Sequence, residues 1–494
     1  MKKTFKRIVS LTSLLVFALI SVALLGIGCK DKDVEKETSE PNVLKIYNWQ
    51  DYIDEGLDDD GQKVDLSVIE MWEADYERRN NVDITVQYDT FETNETMLNT
   101  LKTGKTHYDL ICPSDYTIQK MIKEDMLEKF DEGALATYDA NVSPYLKELF
   151  EQNGWTDYAA CYMWGTLGII YNTEFIDEAD VQHWSGMWNG KYQNQVSAKD
   201  SVRDTYCAGV MYVFQDELME YRTQYENGTL SNAQYNAKIN EVMNRCDKET
   251  IKKVEDALKA MKKNIFGYEV DSGKSDIVTG KIYMNLAWSG DAVYSMDLAE
   301  EEGINLAYSV PLEGSNVWFD GWCMPKGANK TLAQDFVNYI SQPEIAYLNM
   351  DTIGYTTAIV GNEIFDLINE WYGSDEPTAE AWDITYLFGN SVTDTAETTR
   401  LTDGKVIIMT DEVTRQLYAQ YPNKETIDRC GVMQDFGDSN ESILKMWSRI
   451  KANAISPILI VVICVIAAAA IGGVTYIIIR NKKKQNRRNR KRTA

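Results

Sequence analysis

From Val43 onward the chain alternates short apolar runs with amphipathic stretches, and that alternation restricts the fold more than any other feature. Val43–Trp49 places Leu44, Ile46 and its aromatics in the pattern of a strand. Ser67–Arg79 carries Val68, Met71, Trp72 and Tyr76 on one side, which predicts a helix. A strand over 82–88, a helix over 94–101, a strand over 108–112 and a helix over 118–124 follow. Strand–helix–strand repetition with short connections argues for a parallel sheet covered by helices. Such sheets bind ligands at the carboxyl ends of their strands. Asn48-Trp49-Gln50-Asp51-Tyr52-Ile53 and Pro113-Ser114-Asp115-Tyr116 stand at those ends. A second lobe is expected to begin at Tyr162-Met163-Trp164-Gly165, with Gly168–Tyr171 as one of its strands.

The stretch Lys281–Gly327 carries the chemistry. Two apolar runs, Ile282–Trp288 and Asn305–Val310, read as buried strands, each followed by a polar turn and an aromatic–acid pair. The pairs are Trp288 with Asp291 and Trp318 with Asp320. Burying an ammonium without a counter-charge is costly. An indole face attracts a cation and offers apolar surface to methylenes. Indole beside carboxylate, twice, therefore suits an organic cation, although a lone Trp-x-Asp is more often part of a core or its rim.

Charge is unevenly placed. Residues 1–29 and 454–494 hold no Asp or Glu and thirteen of the fifty basic residues; between them, 76 acids face 37 bases. Phosphate contacts need the opposite sign, so nucleic acid is not an expected partner. A polycation would be steered towards this surface, though acidity also serves plain solubility. The two histidines, His107 and His183, leave little for a metal site or a Ser–His–Asp system. No cofactor or metal is expected. The eight cysteines form no C-x-x-C pair; the middle six are compatible with disulfides or with buried thiols. Gly273-Lys274-Ser275 does not complete a P-loop.

The termini read as membrane elements. Basic residues precede the apolar run Ile8–Ile27, and Gly28-Cys29-Lys30 resembles a bacterial lipoprotein signal with Cys29 as the lipidation site. An uncleaved helix is the competing reading. A charged linker fills 30–42. Ile455–Ile479 has no charge and would be roughly 37 Å long as a helix, enough to span a bilayer. The basic tail 480–494 would then be cytoplasmic and residues 43–451 outside.

The segments IYNWQDYI, YDLICPSDYTIQKMIKEDMLEKFD, WGTLGIIYN, AWSGDAVYS, VWFDGWCMPKGA and IGYTT occur in this order. Together they resemble the extracytoplasmic spermidine/putrescine-binding proteins of bacterial ABC transporters, over about Val43–Lys451. The resemblance implies an α/β, two-lobed periplasmic-binding-protein fold (type II-like) with the ligand between the lobes, to which this chain adds a C-terminal transmembrane helix. It implies reversible capture of a polyamine for delivery to permease subunits and, through them, to an ATPase on another chain. On its pattern Asp320 and Asp204 bind terminal ammonium groups and Asp291 a further amine. Trp49, Tyr52, Tyr116, Trp288, Trp318 and Tyr355 line the methylenes, with Asp51 beside them, and Ser114 and Gln434 give neutral hydrogen bonds. Asp204 stands where the family commonly has Glu, and Ser201 where spermidine-preferring relatives have an acid. Asp291 matches an acid of putrescine-preferring relatives, which leans the selectivity towards putrescine. Two stretches, 215–264 and 358–410, are longer than the family leads one to expect; the first reads as two helices divided at Asn227-Gly228. The alternatives are a membrane-anchored polyamine sensor, a binder of the same fold for another small cation, and, least supported, an enzyme.

Overall fold

The computed structural model describes residues 38–57, 61–396, 398–411 and 413–452. Cys29, the segment 1–29, most of the linker, the apolar run 455–479 and the tail 480–494 lie outside them. Among the described residues no helix is long and apolar enough to cross a membrane.

The expected alternation is present. Val43–Trp49 (β1) pairs in parallel with Thr85–Phe91 (β2) and with Leu110–Ile111 (β3). The helix between β1 and β2 spans Val68–Asn80 and starts with a capping box, in which Ser67 and Glu70 each bond the other's backbone N–H. Beyond β3 the sheet departs from the expectation of separate short strands. Ala159–Asn172 (β4) is one continuous strand of 14 buried residues, where the sequence suggested a lobe boundary and then a short strand. The order across the sheet continues through Val196–Lys199 (β5), Gly267–Glu269 (β6), Met284–Trp288 (β7), Leu306–Ser309 (β8) and Ser315–Pro325 (β9). The path is β2-β1-β3-β9-β4-β7-β5-β6, with β8 also paired to β4.

β4 and β9 run antiparallel from Val317↔Thr166 to Cys323↔Ala159 and so join the two halves of the molecule. The pair Trp318 and Asp320, expected to follow a polar turn, therefore sits inside a central strand that the sequence reading did not assign. The misreading has a physical cause: a strand buried on both faces loses its period-two signal, and Ser, Asn, Asp and Gly within 315–321 look like turn residues.

Side-chain alternation divides the interior. Leu167, Ile169, Met284 and Leu286 face one apolar core, which includes Trp184, Val210, Val254 and Leu258. Ile170, Ala287 and Tyr308 face the other, which continues through Leu44, Ile46, Trp72, Ile111 and Phe336. The six middle cysteines among the described residues are free thiols, all but Cys246 buried.

The two long stretches act as supports. Residues 215–264 form three helices, Gln215–Glu226, Asn232–Met243 and Lys248–Met261, not two. The extra break comes at Asp247, whose side chain accepts from the N–H groups of Glu249 and Thr250 and caps a new helix. One face of Asn232–Met243 and its C-terminal residue present Asn236, Asn240 and Asn244 at four-residue spacing. Asn236 donates to the Cys430 carbonyl, Asn240 accepts from Val432 N–H, and Asn244 both donates to the Val432 carbonyl and accepts from Gln434 N–H. A helix thus serves an extended segment as a sheet edge would. The stretch 358–410 supplies the helix Asn362–Tyr372 and the antiparallel strands Glu380–Asp383 and Lys405–Thr410. Tyr372 donates to Gln420, which donates to the Gly354 carbonyl and accepts from Thr356 through its own carbonyl. That chain of bonds holds the loop on either side of Tyr355.

Candidate functional site

Asp320 is 7 % exposed and lies where the β4–β9 register shifts, between Asp320 and Gly321. The extra residue there is Tyr162 on β4, so β9 keeps its alternation, and Trp318 and Asp320, two residues apart, share one face. Its Oδ2 accepts from Tyr52 Oη at 2.8 Å, while Oδ1 has no hydrogen-bond partner among the described residues. Burial pushes its pKa up to about 6, the nearby hydroxyls of Ser114 and Tyr52 oppose that rise, and the charge of Asp204 adds to it. Asp204, in the first turn of the helix Val202–Val213, is thus near enough for its charge to act on Asp320 from a different element.

Aromatic rings enclose this carboxylate. Tyr52 meets Tyr355 edge-on with centroids 5.7 Å apart, and Tyr355 meets Trp318 at 5.6 Å. Two glycines make room for them. A Cβ on Gly290 would come within 1.9 Å of the Tyr355 ring, and one on Gly165 within 2.7 Å of Trp318. This is why the segments WSGD and WGT carry glycine next to the crevice. On the far side, Asn94 bridges Ser114 Oγ and Tyr116 Oη, each at 3.0 Å.

The second indole–acid pair is built differently. Asp291 is also buried, but Oδ2 accepts from Lys199 Nζ at 2.7 Å and Oδ1 from Tyr355 Oη at 2.7 Å. Lys199 is fully buried; it also reaches Glu269 at 3.1 Å and the Val270 carbonyl at 3.0 Å, and sits 4.4 Å from the centre of the Trp288 ring. Burial opposes its charge, yet Asp291 and Glu269 outweigh that and hold its pKa above the ordinary lysine value. Tyr355 thus spans the two centres.

Arg203 is a further buried cation. Its guanidinium lies 3.9 Å from the Phe436 ring centre and 4.8 Å from that of Tyr116, and it donates to the Gln434 carbonyl. Burial raises the neighbouring Asp115 to about 8 despite Arg203, so Asp115 is largely protonated at neutral pH. Burial also raises Asp204, against hydrogen bonds from Ser201 and Trp288.

The geometry therefore gathers Tyr52, Ser114, Tyr116, Asp204, Trp288, Asp291, Trp318, Asp320 and Tyr355. Trp49 is half-buried and packs against Phe91, with ring centroids 4.5 Å apart. Asp51 is exposed, in a left-handed turn with φ of 52°. The Gln434 side chain is also exposed; its backbone, not its amide, is engaged. Neither Lys199 nor Arg203 is among the site residues expected from the sequence. The helix start VSAKDSVRD held both in view, but nothing in their spacing says which buried acid each one meets.

Residues 72–361 match the family described as bacterial extracellular solute-binding proteins. The chain belongs to that family. Among curated relatives of this solute-binding protein, the spermidine/putrescine-binding periplasmic protein of Salmonella typhimurium is 29 % identical over 342 residues, covering 69 % of this chain and 83 % of its own. The putrescine-binding periplasmic protein PotF of Escherichia coli is 24 % identical over 354 residues, with the same coverage of each chain. The solved structure of the spermidine/putrescine transporter substrate-binding protein PotD from Streptococcus pneumoniae superposes with a TM-score of 0.55 at 25 % identity, over 83 % of this chain and 98 % of that one. The two-lobed α/β fold expected from the sequence is the fold of these solute-binding proteins.

Proposed function

We propose that this solute-binding protein captures a polyamine outside the cytoplasm and delivers it to an ABC transporter permease. The observation that carries the reading is the buried Asp320 carboxylate with one oxygen unpartnered, inside a frame of Tyr52, Trp318 and Tyr355. A buried acid left half-satisfied is costly unless a ligand completes it. A primary ammonium donates to Oδ1, neutralises the charge, and leaves its methylenes against the rings. Asp204 holds the other end of the ligand. Trp49, Tyr116 and Trp288 extend the apolar walls, and Ser114 contributes a neutral hydrogen bond. The names of the relatives support the ligand class. The process is binding and release without bond chemistry. Anchoring through Cys29 and 455–479 is part of the proposal on the strength of the sequence.

Titration calorimetry of the full-length chain in mild detergent with putrescine and with spermidine tests it. Saturable 1:1 binding of either amine is expected, and Asp320→Asn should weaken it at least thirtyfold. Absence of heat and of thermal stabilisation with both amines would overturn the reading.

A further inference from the structure

Lys199 closes β5, five residues before Asp204, and its ammonium uses all three donors on Asp291, Glu269 and the Val270 carbonyl. The Trp288 ring packs against the same ammonium. This is the environment, acid plus indole, that Asp320 and Trp318 offer at the other end of Tyr355. A lysine side chain presents a primary ammonium on a four-carbon stem, chemically the end of an aliphatic diamine.

We infer that Lys199 is a built-in cation filling a subsite that Asp291, Glu269 and Trp288 would otherwise offer to a ligand ammonium, so that the crevice selects a diamine over a longer polyamine with a third ammonium. The inference rests on the polyamine reading above and narrows it.

Charge supports the count. Lys199 pairs with Asp291 and Glu269, whereas the buried acids Asp204 and Asp320 stand in no ion pair among the described residues. Lys274 and Asp271, further out, pair with each other at 2.7 Å. The crevice is thus short of two positive charges, which a dication supplies. A third ammonium would be desolvated with no carboxylate left to meet it. Lys199 is not free to leave, since its departure would strip two buried acids of their partner.

The test compares putrescine and spermidine on the full-length chain by calorimetry, in wild type, Lys199→Met and Lys199→Arg. Wild type should favour putrescine. Lys199→Met, which keeps the stem and removes the charge, should shift the spermidine-to-putrescine affinity ratio at least tenfold towards spermidine. Lys199→Arg should restore the wild-type ratio. An unchanged ratio in Lys199→Met would make the lysine a structural cation and overturn the inference, while leaving polyamine binding intact. Loss of binding already in wild type would instead overturn the polyamine reading. If Lys199→Met does not fold, the charge-neutral pair Lys199→Gln with Asp291→Asn decides. Putrescine affinity within threefold of wild type supports a self-contained pair; a tenfold loss shows that Asp291 serves the ligand.

Discussion

Asp320 and Asp291 look alike in the sequence, each an acid two or three residues after a tryptophan, and they end in opposite electrostatic states. Asp291 is saturated by Lys199 and Tyr355; Asp320 keeps one oxygen unpartnered and a raised pKa. The first is a finished part of the protein. The second is a buried, half-partnered carboxylate whose completion is left to something outside the chain. A motif of residue types therefore states which chemistry is available but not whether the protein has already used it.

The largest effect that could break this contrast is on folding. Lys199→Met should cost about 3–5 kcal/mol of stability at neutral pH, because it leaves two buried acids without their cation. Denaturant unfolding measures it, and a loss below about 1 kcal/mol would show that the pair is not tightly held. Asp320→Asn should do the reverse. It should weaken polyamine binding by about 2–4 kcal/mol through loss of a charge-assisted bond, yet leave the unliganded protein as stable as wild type or more so. A variant that lost stability and kept binding would exchange the roles of the two acids.

The pH dependence sharpens the same point. A carboxyl whose folded-state pKa is raised to about 6 binds its proton more tightly folded than unfolded. The unliganded protein therefore gains stability from this group as pH falls through 6 towards the unfolded carboxylate range, and loses it as pH rises. A bound ammonium favours the ionised form, so binding expels the proton. Affinity should fall up to about tenfold per pH unit below 6, a limit of about 1.4 kcal/mol per unit. Calorimetry at several pH values in wild type and Asp320→Asn would show the slope in the first and a much flatter profile in the second. The smallest effect belongs to Asp51, which is exposed. Asp51→Ala should change both stability and affinity by less than about 0.5 kcal/mol.

The sequence by itself determined the order of elements and the residue types of the site. Alternation at Val43–Trp49 and the helical stripe of Val68–Asn80 are local patterns, set by which side of a strand or helix meets the core. The ordered segments carrying Trp49, Tyr52, Ser114, Trp318, Asp320 and Tyr355 likewise needed no coordinates. Tertiary structure alone decided that β4 and β9 run through both halves, and that Trp318 and Asp320 on one face of β9 meet Tyr355 and Tyr52. It also decided that the asparagines of 236–244 grip the segment at Gln434 by its backbone. Above all, it decided that Lys199, 92 residues from Asp291, already neutralises one acid of the pair. Partner choice among buried charges depends on distance and desolvation across the fold, and neither quantity is written in the spacing of residues along a chain.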